Sequence, residues 1–516
     1  MEIVFIALFS VATAVALVAR RLKVPYTVAL VVAGLSLGAA QAFQPPHLTK
    51  DLLYAVFLPG LVFEAAFAIE IKKFWQNKIA IFSLAIPGLV VAIALTSFLL
   101  VPVANSLNFV EGFALTHGFV FAALIAATDP IAVVSLFKSL GAPKRLAVLI
   151  EGESLLNDGT AVVVFTIVLG AVTGGSLSIA GAALDFVRVV GVGALIGAAV
   201  GYAISWIIHR VDDPMIEITL TTIAAYGSFV AAERFHFSGV IATVVAGMIC
   251  GNHAARTGMS PSTRVAVATF WEYLAFALNS IVFLLIGFEV KVSALLAAWK
   301  PIVVAYVAMT VGRAAVLHLV ALILLRTRER LPRSWPSVLT WGGLRGGLSM
   351  VLALALPAEL PHRDLIVAMT FGVVVLSILV QGITMGPLLR RLGLVGAAEA
   401  RVEHDRLRGA IKGTRAALAE IDRMLAEGAI AREMADELRA SYSGRIDEAE
   451  RAMGELHLVA ESLRAETRLH AERRALMAEK DAIVGAHRRG EIGEDAYAKL
   501  LADVDARITE AGGDHG

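Results

Sequence analysis

Carboxylates occur in stretches of this sequence that are otherwise apolar. Asp129 stands in an Ala-Thr-Asp-Pro sequence, and Glu151, Glu153 and Asp158 follow within Glu-Gly-Glu-Ser-Leu-Leu-Asn-Asp-Gly. A charged side chain at the centre of a lipid bilayer costs about 2.5–3.5 kcal/mol on insertion scales. Carboxylates that persist in such segments indicate a protein that moves ions.

Helical geometry places several oxygen-bearing side chains of the second segment on one face. Ser154, Asn157 and Asp158 are spaced i, i+3 and i+4. A monovalent cation that has lost its water needs several oxygen ligands, and Asp129 with a freed backbone carbonyl at Thr128 could complete them. Ligation by oxygen alone favours hard cations over zinc or copper. The sequence therefore predicts a monovalent cation site built from Asp158, Asp129, Ser154 and Thr128.

The same carboxylate also predicts coupling between cations and protons. If Asp158 must be either protonated or bound to a cation, the two compete for one group, and that competition produces exchange. The alternative, that Asp158 is a buried and paired carboxylate that only holds helices together, stays open at this point.

The elements that position these residues are apolar helices of membrane-spanning length. The chain has 516 residues, of which 58% are hydrophobic, and its mean hydropathy is +0.75. Soluble domains are about 45–50% apolar. Residues 1–395 alternate apolar stretches with short polar loops, whereas residues 398–516 are rich in Ala, Arg and Glu. We expect an all-α polytopic membrane domain over 1–395 and a cytosolic helical tail over 398–516.

Thirteen spans are predicted, and their odd number suggests two inverted repeats of six helices around a linker helix. Span five contains Pro130, which removes a backbone donor, and span twelve contains four glycines within Gly342–Gly347. We expect both helices to be broken and to cross each other. The predicted spans are 2–20, 26–43, 49–70, 78–104, 112–138, 146–173, 185–208, 215–235, 238–252, 267–289, 300–325, 336–357 and 364–389.

The distribution of charge predicts orientation and excludes some partners. Lys and Arg concentrate in alternate loops, so the positive-inside rule places the N-terminus outside and the tail in the cytoplasm. Residues 1–400 hold 26 Lys and Arg against 20 Asp and Glu, whereas residues 401–516 hold 19 against 24. The tail is therefore not a basic arm for nucleic acid. Cys250 is the only cysteine, which excludes an intrachain disulfide.

Three other charged residues within predicted spans bear on the ion path or on helix packing. Arg345 is a guanidinium at membrane depth that needs a partner, and we expect Glu153 to form a structural ion pair with it. Glu64, in span three, either lines the ion path or pairs with a neighbour. Arg313 is less specific, and pairing or snorkelling is the preferred interpretation for it.

These motifs together resemble those of a known family. Leu-Pro-Gly before Phe63-Glu64-Ala65, the Ala-Thr-Asp-Pro and Asn-Asp motifs, Phe-Ser-Gly-Val at 237–240, Phe-Leu-Leu-Ile-Gly at 283–287 and Gly-Leu-Arg-Gly at 343–346 occur in the family's order. The chain resembles monovalent cation/proton antiporters, specifically sodium/proton antiporters of the NhaP and NHE type.

The resemblance implies a homodimer in a cell membrane that works by an elevator-type motion in sodium and pH homeostasis. It implies a dimerisation scaffold over about 1–75 and 215–290 and a moving core bundle over about 78–173 and 300–391. It assigns ion and proton binding to Asp158 beside Asp129, and ligands to Ser154 and the Thr128 backbone. Asn157 then positions the unwound region, and Glu64 is a ligand or gate. The Asn-Asp motif implies electroneutral exchange of one Na⁺, or Li⁺, for one proton, with no cofactor.

Two other functions use the same features. A K⁺/H⁺ antiporter would have the same ligands, because sequence does not measure cavity size. A passive cation channel would suit a carboxylate-lined path, but broken helices and one competing carboxylate favour alternating access. An enzyme is not indicated, since no nucleophile with a base and no metal motif stands out. The tail is either regulatory or a solvated appendage, with helix breaks expected at Gly428, Gly444 and Gly485.

Overall fold

A computed structural model describes residues 2–22, 25–40, 53–107, 112–174, 178–289, 292–327, 329–394, 397–459, 475–487 and 491–513. Throughout these ranges the regular elements are helices, and no β-strand occurs. The chain divides into two compact units, residues 1–392 and residues 393–516.

The first unit consists of helices that are mostly apolar. Among its described residues, four short π-helical stretches adjoin α-helices, at Leu53–Phe57, Leu84–Gly88, Cys250–Gly258 and Ser377–Gln381. The α-helices are α1 (Glu2–Leu22), α2 (Tyr26–Ala39), α3 (Leu58–Ala68), α4 (Ile71–Gln76), α5 (Lys78–Ser83), α6 (Leu89–Ser106), α7 (Leu115–Leu124), α8 (Ile131–Leu140), α9 (Lys144–Val172), α10 (Ile179–Ile208), α11 (Pro214–Arg234), α12 (Gly239–Ile249), α13 (Pro261–Glu289), α14 (Val292–Ala297), α15 (Trp299–Leu324), α16 (Trp335–Trp341), α17 (Gly347–Leu354), α18 (Arg363–Leu376) and α19 (Gly382–Arg391).

Seven helical stretches among the described residues are long and apolar enough to cross a membrane. Shorter apolar helices, such as Tyr26–Ala39 and Leu115–Leu124, accompany them. A multi-pass membrane protein therefore accounts for the first unit. The finer expectation of thirteen crossings in two inverted repeats stays a prediction. The seven stretches are Lys78–Ser106, Lys144–Val172, Ala180–Ile208, Pro214–Arg234, Pro261–Phe288, Trp299–Leu324 and Arg363–Arg391.

Non-helical backbone lies at both places where the sequence predicts a break. The first separates α7 from α8, and the second separates α16 from α17. The two breaks touch, because the backbone N–H of Asp129 donates to the carbonyl oxygen of Leu344 at 2.8 Å. Unwound backbone is tolerated at membrane depth only where it faces protein or a wet cavity. Each break thus helps to satisfy the other.

Glycines let several neighbouring helices approach closely. A methyl group at Gly34 of α2 would lie 2.3 Å from the carbonyl oxygen of Leu284 in α13. One at Gly197 of α10 would lie 2.1 Å from the carbonyl oxygen of Ala242 in α12. Small residues at such crossings increase van der Waals contact between helices in a membrane. These helix pairs have little freedom to slide past each other.

The second unit begins with a helical hairpin. Helix α20 (Ala397–Ala426) packs against α21 (Arg432–Val459), and residues 475–487 and Glu494–Gly513 are also helical. Leu407 and Ile411 of α20 form a small apolar cluster with Ala449 of α21. Ion pairs between exposed side chains, such as Arg415 with Glu450, connect the two helices. The amphipathic spacing of α20 thus serves contact within the tail.

Of the three glycine breaks predicted in the tail, only one is present. Gly428 lies between α20 and α21 with a φ of +73°, a conformation that glycine adopts without steric penalty. Gly444 lies inside α21, and Gly485 lies inside the helix at 475–487, so these two predictions are wrong. A glycine inside a helix costs only about 1 kcal/mol relative to alanine, which the flanking turns offset.

Candidate cation-binding site

A cavity of about 370 Å³ is lined in part by the first helix break. Its walls come from α3, α8, α9, α13 and α17. Five of the six ion-site candidates line it, and they are Asp129, Asp158, Thr128, Ser154 and Glu64. The structure thus brings together residues that are far apart in the sequence.

Two carboxylates and two helix ends meet on the wall of this cavity. Asp158 and Asp129 are both half-buried and close enough to repel each other electrostatically. One carboxylate oxygen of Asp129 accepts a hydrogen bond from the backbone N–H of Ile131 at 3.0 Å, at the start of α8. Gly347, where α17 begins, lines the cavity too. Helix N-termini carry partial positive charge, which stabilises anionic groups there.

Neutral oxygens lie beside the carboxylates. The Ser154 hydroxyl donates a hydrogen bond to the carbonyl oxygen of Thr128, which the helix break leaves without a helical partner. Both residues line the cavity. This pair of oxygens can serve as neutral ligands for a cation held by Asp158.

Asn157 does not line this cavity. Its amide nitrogen donates to the carbonyl oxygen of Ala126 and to the Thr128 hydroxyl, both at 3.1 Å. The side chain therefore holds the unwound segment between α7 and α8 from behind. This geometry suits a positioning role, and direct contact with a cation stays a prediction.

The expected ion pair between Glu153 and Arg345 is not formed, and that prediction is wrong. The Glu153 carboxylate instead forms two hydrogen bonds with the guanidinium of Arg313, at 2.7 and 2.9 Å. Arg345 donates to the carbonyl oxygens of Ala126 at 2.7 Å and Ala127 at 3.2 Å. Arg345 is thus a ligand of freed backbone rather than of a carboxylate.

The two arginines differ from the expected pairing because two helices are broken. The last carbonyls of a helix have no partner within it and carry partial negative charge. Arg345 binds these carbonyls after α7, and Arg313 binds the Leu339 carbonyl near the end of α16 at 3.1 Å. A methyl group at Gly343 would lie 2.2 Å from the Arg313 guanidinium, so glycine leaves space for it.

Sequence reasoning missed two further charged residues of the cavity. Glu151 and Lys138 both line it, but neither was assigned to the ion site. For Glu151 a signal existed, because it precedes Asp158 by seven residues, about two helical turns along one face. For Lys138 no signal existed, because a lysine near a helix end beside a charged loop does not indicate an ion site.

Comparison with known proteins agrees with the geometry of this site. The family model for the transmembrane domain of sodium/hydrogen exchangers matches residues 5–391. The chain belongs to the sodium/hydrogen exchanger family. The predicted resemblance to sodium/proton antiporters is thereby confirmed.

Relatives within the exchanger family are transporters by name, not enzymes. The Na⁺/H⁺ antiporter ApNhaP of Aphanothece halophytica is 38% identical over 387 residues, 75% of this chain and 73% of the relative. The Na⁺/H⁺ antiporter NhaP of Pseudomonas aeruginosa is 39% identical over 350 residues, 66% of this chain and 81% of the relative.

A solved exchanger shares the fold. The sodium proton antiporter MjNhaP1 of Methanocaldococcus jannaschii at pH 8 matches with a TM-score of 0.61 and 19% sequence identity. The match covers 75% of this chain and 98% of that one. The described helices of the first unit therefore have the fold of that antiporter.

Proposed function

We propose that this protein exchanges Na⁺ for H⁺ across a cell membrane, and that Li⁺ can replace Na⁺. The observation that carries the proposal is the cavity, whose wall holds Asp158 and Asp129 beside a broken helix. The relatives' names favour Na⁺ over the K⁺ of the alternative antiporter. A passive channel would need a continuous path past this point.

The exchange follows from competition for Asp158. Among the residues that the structure describes, none donates a hydrogen bond to Asp158, whereas Asp129 accepts one from Ile131. Asp158 is therefore the carboxylate whose oxygens are available to either a proton or a cation. A cation would add Ser154, Thr128 and Asp129 as ligands, and Glu64 on the facing wall. One proton then leaves for each cation that binds, which makes the exchange electroneutral.

We further propose that the cavity faces the cytoplasm. Lys138, on the cavity wall near the end of α8, and Lys144 and Arg145, at the start of α9, flank one of the positively charged loops. By the positive-inside rule this end of the bundle is cytoplasmic. The conformation is then inward-open, with the N-terminus outside, the tail inside and thirteen crossings in two inverted repeats.

The boundary at which the cavity lies supports an elevator-type motion. Its wall on one side comes from α3 and α13, which belong to the proposed scaffold over about 1–75 and 215–290. The other wall comes from α8, α9 and α17, within the proposed core over about 78–173 and 300–391. Sliding of the core along the scaffold would carry Asp158 between the two faces. A homodimer would anchor the scaffold, and native mass spectrometry of the purified protein checks that stoichiometry.

Counter-transport in proteoliposomes tests the proposal. An inside-acid gradient is imposed with the membrane potential clamped, and Na⁺, Li⁺ and K⁺ are added in turn. We expect Na⁺ and Li⁺ to evoke proton efflux that does not change with the clamp voltage, and K⁺ to evoke little. An equal response to K⁺ would favour the alternative antiporter. Cation flux without proton movement would indicate a channel.

We propose that the tail over 398–516 regulates exchange. It contains a folded helical hairpin that exposes side chains of both charges, and such a surface is suited to binding other charged groups. Deletion of residues after 400 is expected to displace the pH dependence of exchange without abolishing it. A pH profile measured in the same proteoliposomes checks this result, and an unchanged profile would favour a solvated appendage.

A further inference from the structure

The wall of the cavity carries a positively charged side chain of the protein. Lys138, near the end of α8, lines the same cavity as Asp158, and its side chain is exposed. Among the described residues, no carboxylate lies within ion-pair distance of its ammonium group. Its charge nevertheless attracts two carboxylates across the cavity, Glu151 and Glu64. Among the described residues, the ammonium is thus near two carboxylates and paired with neither.

The charged groups of the cavity wall lie at different distances from the helix break. Asp129 and Asp158 lie at the helix break, while Glu151 lies about two helical turns from Asp158 toward Lys138. In the described part of the chain, four carboxylates and a single ammonium line the cavity. A cleft lined by one sign of charge concentrates the opposite ion, because low-dielectric walls focus the field. The positive charge that these carboxylates attract can be that of a transported cation or that of the Lys138 ammonium.

We infer that Lys138 and Glu151 set the cation affinity of the cavity, Glu151 by attracting the cation and Lys138 by competing with it as a tethered ammonium. This inference rests on the proposed function. A lysine ammonium is a compact charge on a flexible four-carbon stem. It can therefore approach Glu151 or Glu64 when no cation is present, and an entering cation must displace it. Neither residue needs to touch the cation at Asp158.

A role in affinity differs from a structural role in what a substitution changes. Lys138 is exposed and forms no ion pair among the described residues, so its removal should leave the fold intact. Since it does not hold the helix break, kcat should also be unchanged. Only the cation concentration for half-maximal exchange should move, on the side where the cavity opens.

The test uses the full-length protein in proteoliposomes, with Na⁺ varied on the cavity side. Lys138→Gln is expected to lower the KM for Na⁺ about fivefold, because about 1 kcal/mol of repulsion between two unit charges is removed. Glu151→Gln is expected to raise the KM by a similar factor. Both changes should shrink when ionic strength is raised with choline chloride, since salt screens exposed charges.

Two control variants separate the proposed role from general surface charge. Lys144→Gln removes a neighbouring exposed lysine that does not line the cavity, and it should leave the KM unchanged. Lys138→Arg keeps the charge and should keep the wild-type KM. A KM for Lys138→Gln within twofold of wild type would overturn the inference. So would an equal shift in Lys144→Gln, or a loss of kcat without a KM change.

A binding measurement keeps this test independent of transport. The binding midpoint for Na⁺ is obtained by fitting the rise of the melting temperature with Na⁺ concentration for the same purified variants, with Asp158→Asn as the non-binding control. We expect this midpoint to fall about fivefold in Lys138→Gln, in parallel with the KM. Absence of exchange in the wild type would sink the proposed function, whereas an unchanged midpoint in Lys138→Gln would sink only this inference.

Discussion

Replacement of Asp158 by asparagine should reduce Na⁺-evoked proton movement to the background of empty liposomes. The amide cannot be protonated at working pH and carries no charge to hold a cation, so both competing ligands lose their shared group. Asp158 accepts no hydrogen bond within the described part of the chain, and the break is held instead by Asn157, Ser154 and Arg345. The protein should therefore still fold.

The measurement is the pH-gradient assay described above, run beside a thermal melt of the same preparation. A half-buried carboxylate without a donor is desolvated at some cost. The melting temperature of Asp158→Asn should consequently equal or exceed that of the wild type. Asp185→Asn, at an exposed position of α10, is the matched control and should exchange normally. Coupled flux at the wild-type rate in Asp158→Asn would show that another group carries the proton.

Replacement of Arg313 by alanine should have the largest effect on stability. Glu153 is 4% exposed and Arg313 is 12% exposed, so the substitution leaves a carboxylate buried without a partner. Breaking one side of a buried ion pair lowers the free energy of unfolding by about 3–5 kcal/mol. The carbonyl of Leu339 near the end of α16 also loses its donor.

Thermal melting of the purified protein in detergent measures this loss, and a double variant tests the pairing. Adding Glu153→Gln to Arg313→Ala removes the stranded charge and should restore a large part of the melting temperature. Adding Glu153→Gln to Arg345→Ala should restore little, because Arg345 binds carbonyls and not Glu153. If the rescue occurs with Arg345→Ala instead, the pairing expected from the sequence is the real one.

The two arginines together explain how a pair of broken helices can be stable in a membrane. Each break leaves carbonyls without helical partners. Arg313, from α15, binds one near the end of α16, and Arg345, from the second break itself, binds those that follow α7. Glu153 neutralises Arg313, whereas the Arg345 guanidinium has only neutral acceptors, the two carbonyls and the Met309 sulfur, among the described contacts. The two arginine charges thus lie beside helix-end carbonyls, whereas the carboxylates Asp129 and Asp158 line the cavity.

The sequence by itself determined the properties that depend on local chemistry. Apolar runs of membrane-spanning length require helices because lipid offers the backbone no hydrogen bonds. Pro130 and the glycines around Arg345 break helices for reasons contained in their own backbones. The spacing of Ser154 and Asp158 places them on one helical face whatever surrounds that helix. For these residues the prediction needed no knowledge of neighbours.

Only the tertiary structure decided which groups meet. Two arginines, Arg313 and Arg345, were possible partners for Glu153. The path of α15 places Arg313 beside Glu153, whereas Arg345 binds the freed carbonyls. Asn157, adjacent to Asp158 in sequence, points to the back of the break because successive helical residues differ by about 100° in direction. Lys138 became part of the ion path because α8 ends at the cavity mouth. Side-chain partners are set by packing between helices, which local sequence does not encode.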